Sequence, residues 1–416
     1  MLVDLPRRWR WALGACCALL VAIALLFVMS ATRRAEADVA PGVPVVNEAP
    51  LLEGVTPVAV AEPSADTVTP EGPARGADEI QVCGGAWVKA NPDGSFDQTE
   101  FERATQLPAM RARVLTNMQA SGSEFARASA LLLEMLHTED QRHIAGALAR
   151  LAVSTRDAKV YALAFKACAT KRPGESACQL LSAEQWARLD PDNAGPWKFV
   201  LQEAQSRGDL AARDDALFHI ANARRNETGF FSVPAAILDA VPDDDASRLA
   251  ALILLTDAIG FEAGSSIAGL QAVNAFCREP WLRDTSRAQT CASVAELLVE
   301  RSDTLLDARI GAALGTRLGW PADRGDRMRA EYTAYTEQVA AASGDGNEFG
   351  CTAVEHQIAL VRRRVALGEV GAMREWVAAS GKRPEDFVLE DRLRQQRWSA
   401  AAALAAASAG SAVASD

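Results

Sequence analysis

The chain has 416 residues with 54 acidic against 43 basic side chains, a net charge of −11. The region around its first apolar run is basic, so the remainder is more acidic still, which disfavours anionic lipid head groups and excludes nucleic-acid binding. Ala, Leu and Arg are abundant, only 3 Tyr occur, and Val and Ile are too scattered to read as strands, which predicts an all-α fold.

Arg7, Arg8 and Arg10 precede an uninterrupted apolar run from Trp11 to Met29, and Arg33 and Arg34 follow it. A helix over 11–29, rising about 1.5 Å per residue, comes close to the roughly 30 Å of a bilayer core and is read as a transmembrane anchor. Ala35-Glu36-Ala37 has the small-x-small shape of a processing site, but Arg33 and Arg34 separate it from the apolar run, so an uncleaved anchor is adopted. The charge bias across the run is weak, and orientation rests on the cysteines. Residues 30–79 are mainly Pro, Val, Ala and Glu, which cannot bury a core and predict an extended linker. A helical repeat domain is expected over 80–398, followed by an Ala/Ser-rich tail over 399–416.

The folded part opens with a turn at Asn91-Pro92-Asp93-Gly94, and Asp97 with Glu100 three residues on predicts a helix cap. A calcium loop would use Asn91, Asp93, Gly94, Phe96, Asp97 and Glu100, but it would start at Lys89, a cation where a carboxylate is needed. From Thr99 the pattern is helix after helix. Hairpins are expected about Ser154-Thr155-Arg156-Asp157, about Arg301-Ser302-Asp303 and about Gly368-Glu369. Pro242-Asp243-Asp244-Asp245 stops one helix and caps the next, whose face Leu249, Leu252, Leu255 and Ile259 is expected to end at Gly260.

Cys16 and Cys17 lie in the apolar run, leaving Cys83, Cys168, Cys178, Cys277, Cys291 and Cys351. Cys168 and Cys178 bracket a turn at Arg172-Pro173-Gly174, and Cys277 and Cys291 bracket one at Glu279-Pro280, so each pair is expected to staple consecutive helices. Cys83 with Cys351 follows by elimination. Disulfides belong to oxidising compartments, so residues 1–10 are assigned to the cytoplasm and the bulk of the chain to the periplasm, with one pass through the inner membrane. The bacterial assignment rests by analogy on the Ala/Arg-rich composition.

No catalytic, cofactor or metal site is expected. His137, His143, His219 and His356 are read as packing or surface residues. HExxH, GxSxG and the P-loop are absent, and the Gly-rich stretch 344–350 lacks the dinucleotide spacing. Glu175-Ser176 resembles the catalytic Glu-Ser of lytic transglycosylases, although the elements that accompany it in that family are missing. A cell-wall-active enzyme is therefore the alternative function.

The most specific stretch is Leu189 to Trp197. Pro191 and Trp197 have the separation of the proline that closes one repeat and the tryptophan that begins the next in tetratricopeptide proteins. Trp197, Val200, Leu201 and Ala204 share a helical face, Gly208 falls where that family turns, and Ala216-Leu217 is similar to its Ala-Leu pair about three residues late. Residues 189–224 thus resemble a tetratricopeptide repeat. The resemblance implies an irregular α-solenoid of antiparallel helix pairs that binds a protein or peptide partner at the cell envelope without catalysis. A small-ligand sensor ectodomain is a further alternative.

Overall fold

A computed structural model describes residues 79–91, 96–138, 141–170, 176–342 and 349–397 except 391 and 395, all within the compact unit Pro73–Asp416. The anchor over 11–29, the tail over 399–416, Glu175, and all but the last residue of the linker lie outside the described residues.

Among the described residues the fold is all-α, with one short antiparallel ribbon before the first helix. In that ribbon β1 (Glu79–Gln81) pairs with β2 (Trp87–Lys89), Ile80 opposite Val88. Ala90 bridges to Phe96, and Asp97 then caps α1 (Gln98–Ala104) by accepting from the Glu100 N–H at 2.8 Å. That carboxylate is committed as a cap, while Asp93 and Gly94 of the weighed calcium loop lie outside the described residues.

Helices α2 (Leu107–Ala120), α3 (Glu124–His137), α4 (Gln141–Ser154), α5 (Ala158–Thr170), α6 (Ala183–Leu189), α7 (Ala194–Arg207) and α8 (Leu210–Ala221) follow, each packed on the next. Side-chain caps begin several of them: Ser123 for α3, Ser182 for α6, Asn193 for α7 and Asp209 for α8. After α9 (Ser232–Ala240) and α10 (Asp245–Phe276), the succession resumes with α11 (Thr285–Glu300), which packs on α8, and continues through α12 (Leu305–Arg317), α13 (Ala322–Ala342) and α14 (Cys351–Ala379). Gly368, at φ 72° and ψ 166°, breaks α14 into two arms at the position where a hairpin was expected.

Helix α10 departs from expectation, because it does not stop at Gly260 but runs on to Phe276. Gly260 and Gly264 are exposed on its outer side, so each costs only the roughly 1 kcal/mol of helical glycine, while Leu270, Val273 and Phe276 beyond them are buried. By length and composition α10 is apolar enough to cross a membrane. In the fold it is a central strut, packed against α2, α3, α7, α9, α12 and α14. Gly269 lets α7 cross it closely, since a Cβ there would lie 2.8 Å from Lys198 Cβ.

Asp244 caps α10, accepting from the Ser247 N–H and hydroxyl at 2.9 Å, while Arg248 pairs with Asp243 and Asp245. The acidic run is thus occupied as a helix start. The Sγ atoms of Cys83 and Cys351, of Cys168 and Cys178, and of Cys277 and Cys291 lie at disulfide distance. Cys83 and Cys351 also group with Asp245 as a possible metal set, but their sulfurs face each other in the bridge.

Candidate binding cavity

Four turns lie side by side along one edge of the helical succession. The Asp190–Asn193 turn meets the strand-like segment 224–228, where the Ala194 N–H donates to Arg225 O at 2.9 Å and the Arg224 N–H to Asp192 O at 2.9 Å. That segment meets the turn at 301–303, with the Asn226 N–H donating to Arg301 O at 3.1 Å and the Asp303 N–H to Asn226 O at 3.3 Å. The Glu369 N–H closes the series by donating to Asp303 O at 3.3 Å. Turn backbone cannot satisfy itself as a helix does, and pairing turn with turn meets that need.

Charged side chains fasten this seam from within. Lys198 and Asp307 have side chains 2% and 0% exposed, with Nζ 3.1 Å from Oδ2. The same Oδ2 accepts from Asn226 Nδ2 at 2.6 Å, and Asn226 Nδ2 also reaches Ser302 Oγ at 2.6 Å. Asp303 accepts from the Thr228 N–H at 2.9 Å and from its hydroxyl. Lys166 on α5 donates to Thr228 O. Glu262, 3% exposed on α10, accepts from the N–H groups of Phe231 and Val233 at 2.7 and 2.9 Å. Helix α9 starts at Phe231 in the left-handed region with no capping side chain of its own, and Glu262 serves as the cap from a neighbouring helix.

Burial pushes the Glu262 carboxyl up to about 7 and that of Asp303 up to about 6, and lowers the Lys166 ammonium to about 8. Glu369 is likewise raised by burial, and its carboxylate accepts from the Leu305 N–H at 2.8 Å.

The inner side of the seam is one wall of a cavity of about 1070 Å³. Helices α2, α3, α5, α6, α9 and α10 and the first arm of α14 supply the rest, with Phe125, Trp186, Phe230, Phe231 and Phe261 as apolar surface. Lys166, Glu262 and Asp303 reach it from the interior, Arg364 from α14, and Asn117, Ser121, Asp157 and Asp239 also line it. Trp186 is packed beneath against Phe165 and Phe199, at centroid distances of 5.9 and 5.5 Å. A volume of this size takes a small molecule or a short stretch of peptide.

No protein-family description, curated protein or solved structure matches the chain. The cavity's chemistry is therefore read from its own residues.

Of the repeat-signature residues, Pro191 lies in the seam turn, Leu201, Ala216 and Leu217 are buried between α7 and α8, and Gly208 ends α7 at φ 70°. Trp197 stacks on His219 at 3.8 Å. His137 binds Asp257, with Nε2 2.9 Å from Oδ2. Sequence reasoning did not single out Lys166, Lys198, Asn226, Glu262 or Asp307 as site residues, and met Asp303 only as part of a turn. A usable signal was present: Lys198 stands among Trp197, Phe199, Val200 and Leu201, and Lys166 stands in Tyr-Ala-Leu-Ala-Phe-Lys-Ala-Cys. A charge on an inward helical face is expensive unless it is paired.

Proposed function

We propose that this chain is a membrane-anchored, periplasmic, tetratricopeptide-like helical-repeat protein that binds a peptide segment of another envelope protein, without catalysis. Its main support is the cavity, built by many successive helices and lined by aromatic rings and hydrogen-bonding side chains. The three cysteine pairs at disulfide distance support an oxidising compartment.

A glycan-cleaving enzyme needs a buried acid aimed at its substrate. Glu262 has the raised pKa of such an acid, but both of its oxygens are held by the backbone at the start of α9, which favours binding over hydrolysis. A small-ligand sensor is favoured by one specific feature, that the cavity is near the upper size of ordinary small-molecule sites, on the order of 1,000 Å³.

Photocrosslinkable residues placed at Asn117, Ser121 and Asp239, around the cavity, are compared in intact cells with one at Arg327 on the exposed side of α13. A discrete protein adduct from the cavity positions alone is the expected result. Adducts of equal yield from both regions, or none from the cavity, refute the reading.

A further inference from the structure

We infer that Arg364 is the anchor for a single carboxylate on the cavity's ligand. The inference deepens the binding reading and rests on it. Arg364 lies on the first arm of α14, half-buried, and lines the cavity with its guanidinium 5.8 Å from the centre of the Phe231 ring. Burial lowers its pKa, and among the described residues Glu369 is the one acidic group that offsets this. Glu369 is a poor counter-ion, because it stands beyond ion-pair distance, is committed to the Leu305 N–H, and is itself biased by burial toward its neutral form.

Among the described residues Arg364 makes no ion pair within 4 Å and no hydrogen bond. Its sequence neighbour Arg363 pairs with Glu375, and Arg225, across the same cavity, pairs with Asp190 and Glu227. A cation held partly out of water without a paired anion costs stability that a bound anion returns. The planar guanidinium fits a carboxylate through two parallel hydrogen bonds.

The surroundings select the kind of anion. Asp190 and Glu227 are paired with Arg225, but Asp157 and Asp239 line the cavity with no ion pair among the described residues, and acids outnumber Lys159, Lys166, Arg225 and Arg364 in the lining, so a second negative charge on the ligand meets repulsion and a phosphate dianion is disfavoured. Phe230, Phe231 and Phe261 provide for an apolar body beside the charged end. The ligand class is thus a monocarboxylate with an apolar body, such as one acidic or terminal residue of an otherwise uncharged peptide.

The probes are 3-phenylpropionate, its neutral isostere 3-phenylpropionamide, and inorganic phosphate, each titrated at pH 7.5 and constant ionic strength into the full chain with its disulfides intact. Binding is followed by ligand-observed NMR and by thermal unfolding. In the wild type the acid is expected to bind at least about tenfold more tightly than the amide, with phosphate weaker than the acid, the tenfold gap corresponding to the loss of one charge-assisted contact. In Arg364→Met the preference for the acid disappears, and the ligand-free protein unfolds at the same temperature as wild type or higher, because an unpaired charge has been removed. Arg364→Lys keeps a reduced preference for the acid and tests the site if the methionine variant folds poorly.

Equal affinity for acid and amide in the wild type, absence of binding by either, an acid preference that survives Arg364→Met, or tighter binding of phosphate than of the acid overturns the inference. Crosslinking from the cavity positions reads the binding function separately. Adducts there without any carboxylate preference leave that function standing and remove the role of Arg364.

Discussion

Lys198→Met is the perturbation whose outcome the fold constrains most tightly. The Lys198 side chain is 2% exposed and that of Asp307 0%, so neither charge has water to fall back on. Nζ lies 3.1 and 3.4 Å from the two carboxylate oxygens, and among the described residues the only other side-chain donor to Asp307 is Asn226 Nδ2 at 2.6 Å. Removing the ammonium strands a carboxylate in the interior, and breaking one side of such a pair costs about 3–5 kcal/mol. For a domain of this size that is a fall in Tm of roughly 4–8 °C. Asp307→Leu alone strands the ammonium and is expected to cost as much. In the double variant both charges are gone and the remaining loss is the acceptor of Asn226, about 1–3 kcal/mol. Urea unfolding of the four proteins, followed by far-UV circular dichroism with disulfides intact, measures the coupling. Single variants costing under about 1 kcal/mol, as solvated surface pairs do, or a double variant equal to the sum of the singles, would refute the reasoning.

Three further outcomes are expected. Glu262 and Asp303 have folded-state pKa values raised to about 7 and about 6, so the folded chain holds more protons than the unfolded one at mildly acidic pH, and stability falls as pH rises through about 4 to 7. Lys166, lowered to about 8, acts oppositely above that value, so Tm is expected to be higher at pH 5.5 than at 7.5, with the slope reduced in Glu262→Gln; a flat profile contradicts this. Gly315→Ala should destabilise by about 1–3 kcal/mol, because its Cβ would overlap the Trp320 ring, whereas Gly85→Ala meets no atom within 4 Å and is opposed only by its φ of +80°. A non-reducing peptide map of protein taken from membranes should show Cys277 joined to Cys291 and Cys168 to Cys178; six free thiols would remove the periplasmic assignment. Opening the first of these bridges, which closes a separation of 14 residues, should cost about 3 kcal/mol in the chain-entropy account.

Local signals accounted for much of the helical framework. Asp97 and Asp244 are capping residues whose side chains do in the structure what their type and position indicate, since a cap needs only one oxygen near the backbone two or three residues on. The turns at 154–157, at 301–303 and at Gly368 were legible for the same reason. Gly260 misled, because a glycine ends a helix only where the chain needs a left-handed residue or loses its packing, and α10 keeps its packing to Phe276.

The cavity was not legible. Lys166, Thr228, Glu262, Asp303 and Arg364 come from α5, a turn, the middle of α10, another turn and α14, and no spacing along the chain relates them. By itself the sequence determined the helical class, the caps and turns, and the apolar faces, all of which depend on interactions a few residues in range. Only the tertiary structure decided that α10 would be a central strut, that four distant turns would lie side by side, and which buried charges would meet. Those outcomes depend on satisfying desolvated backbone and charge at once, and that condition exists only when the whole chain is packed.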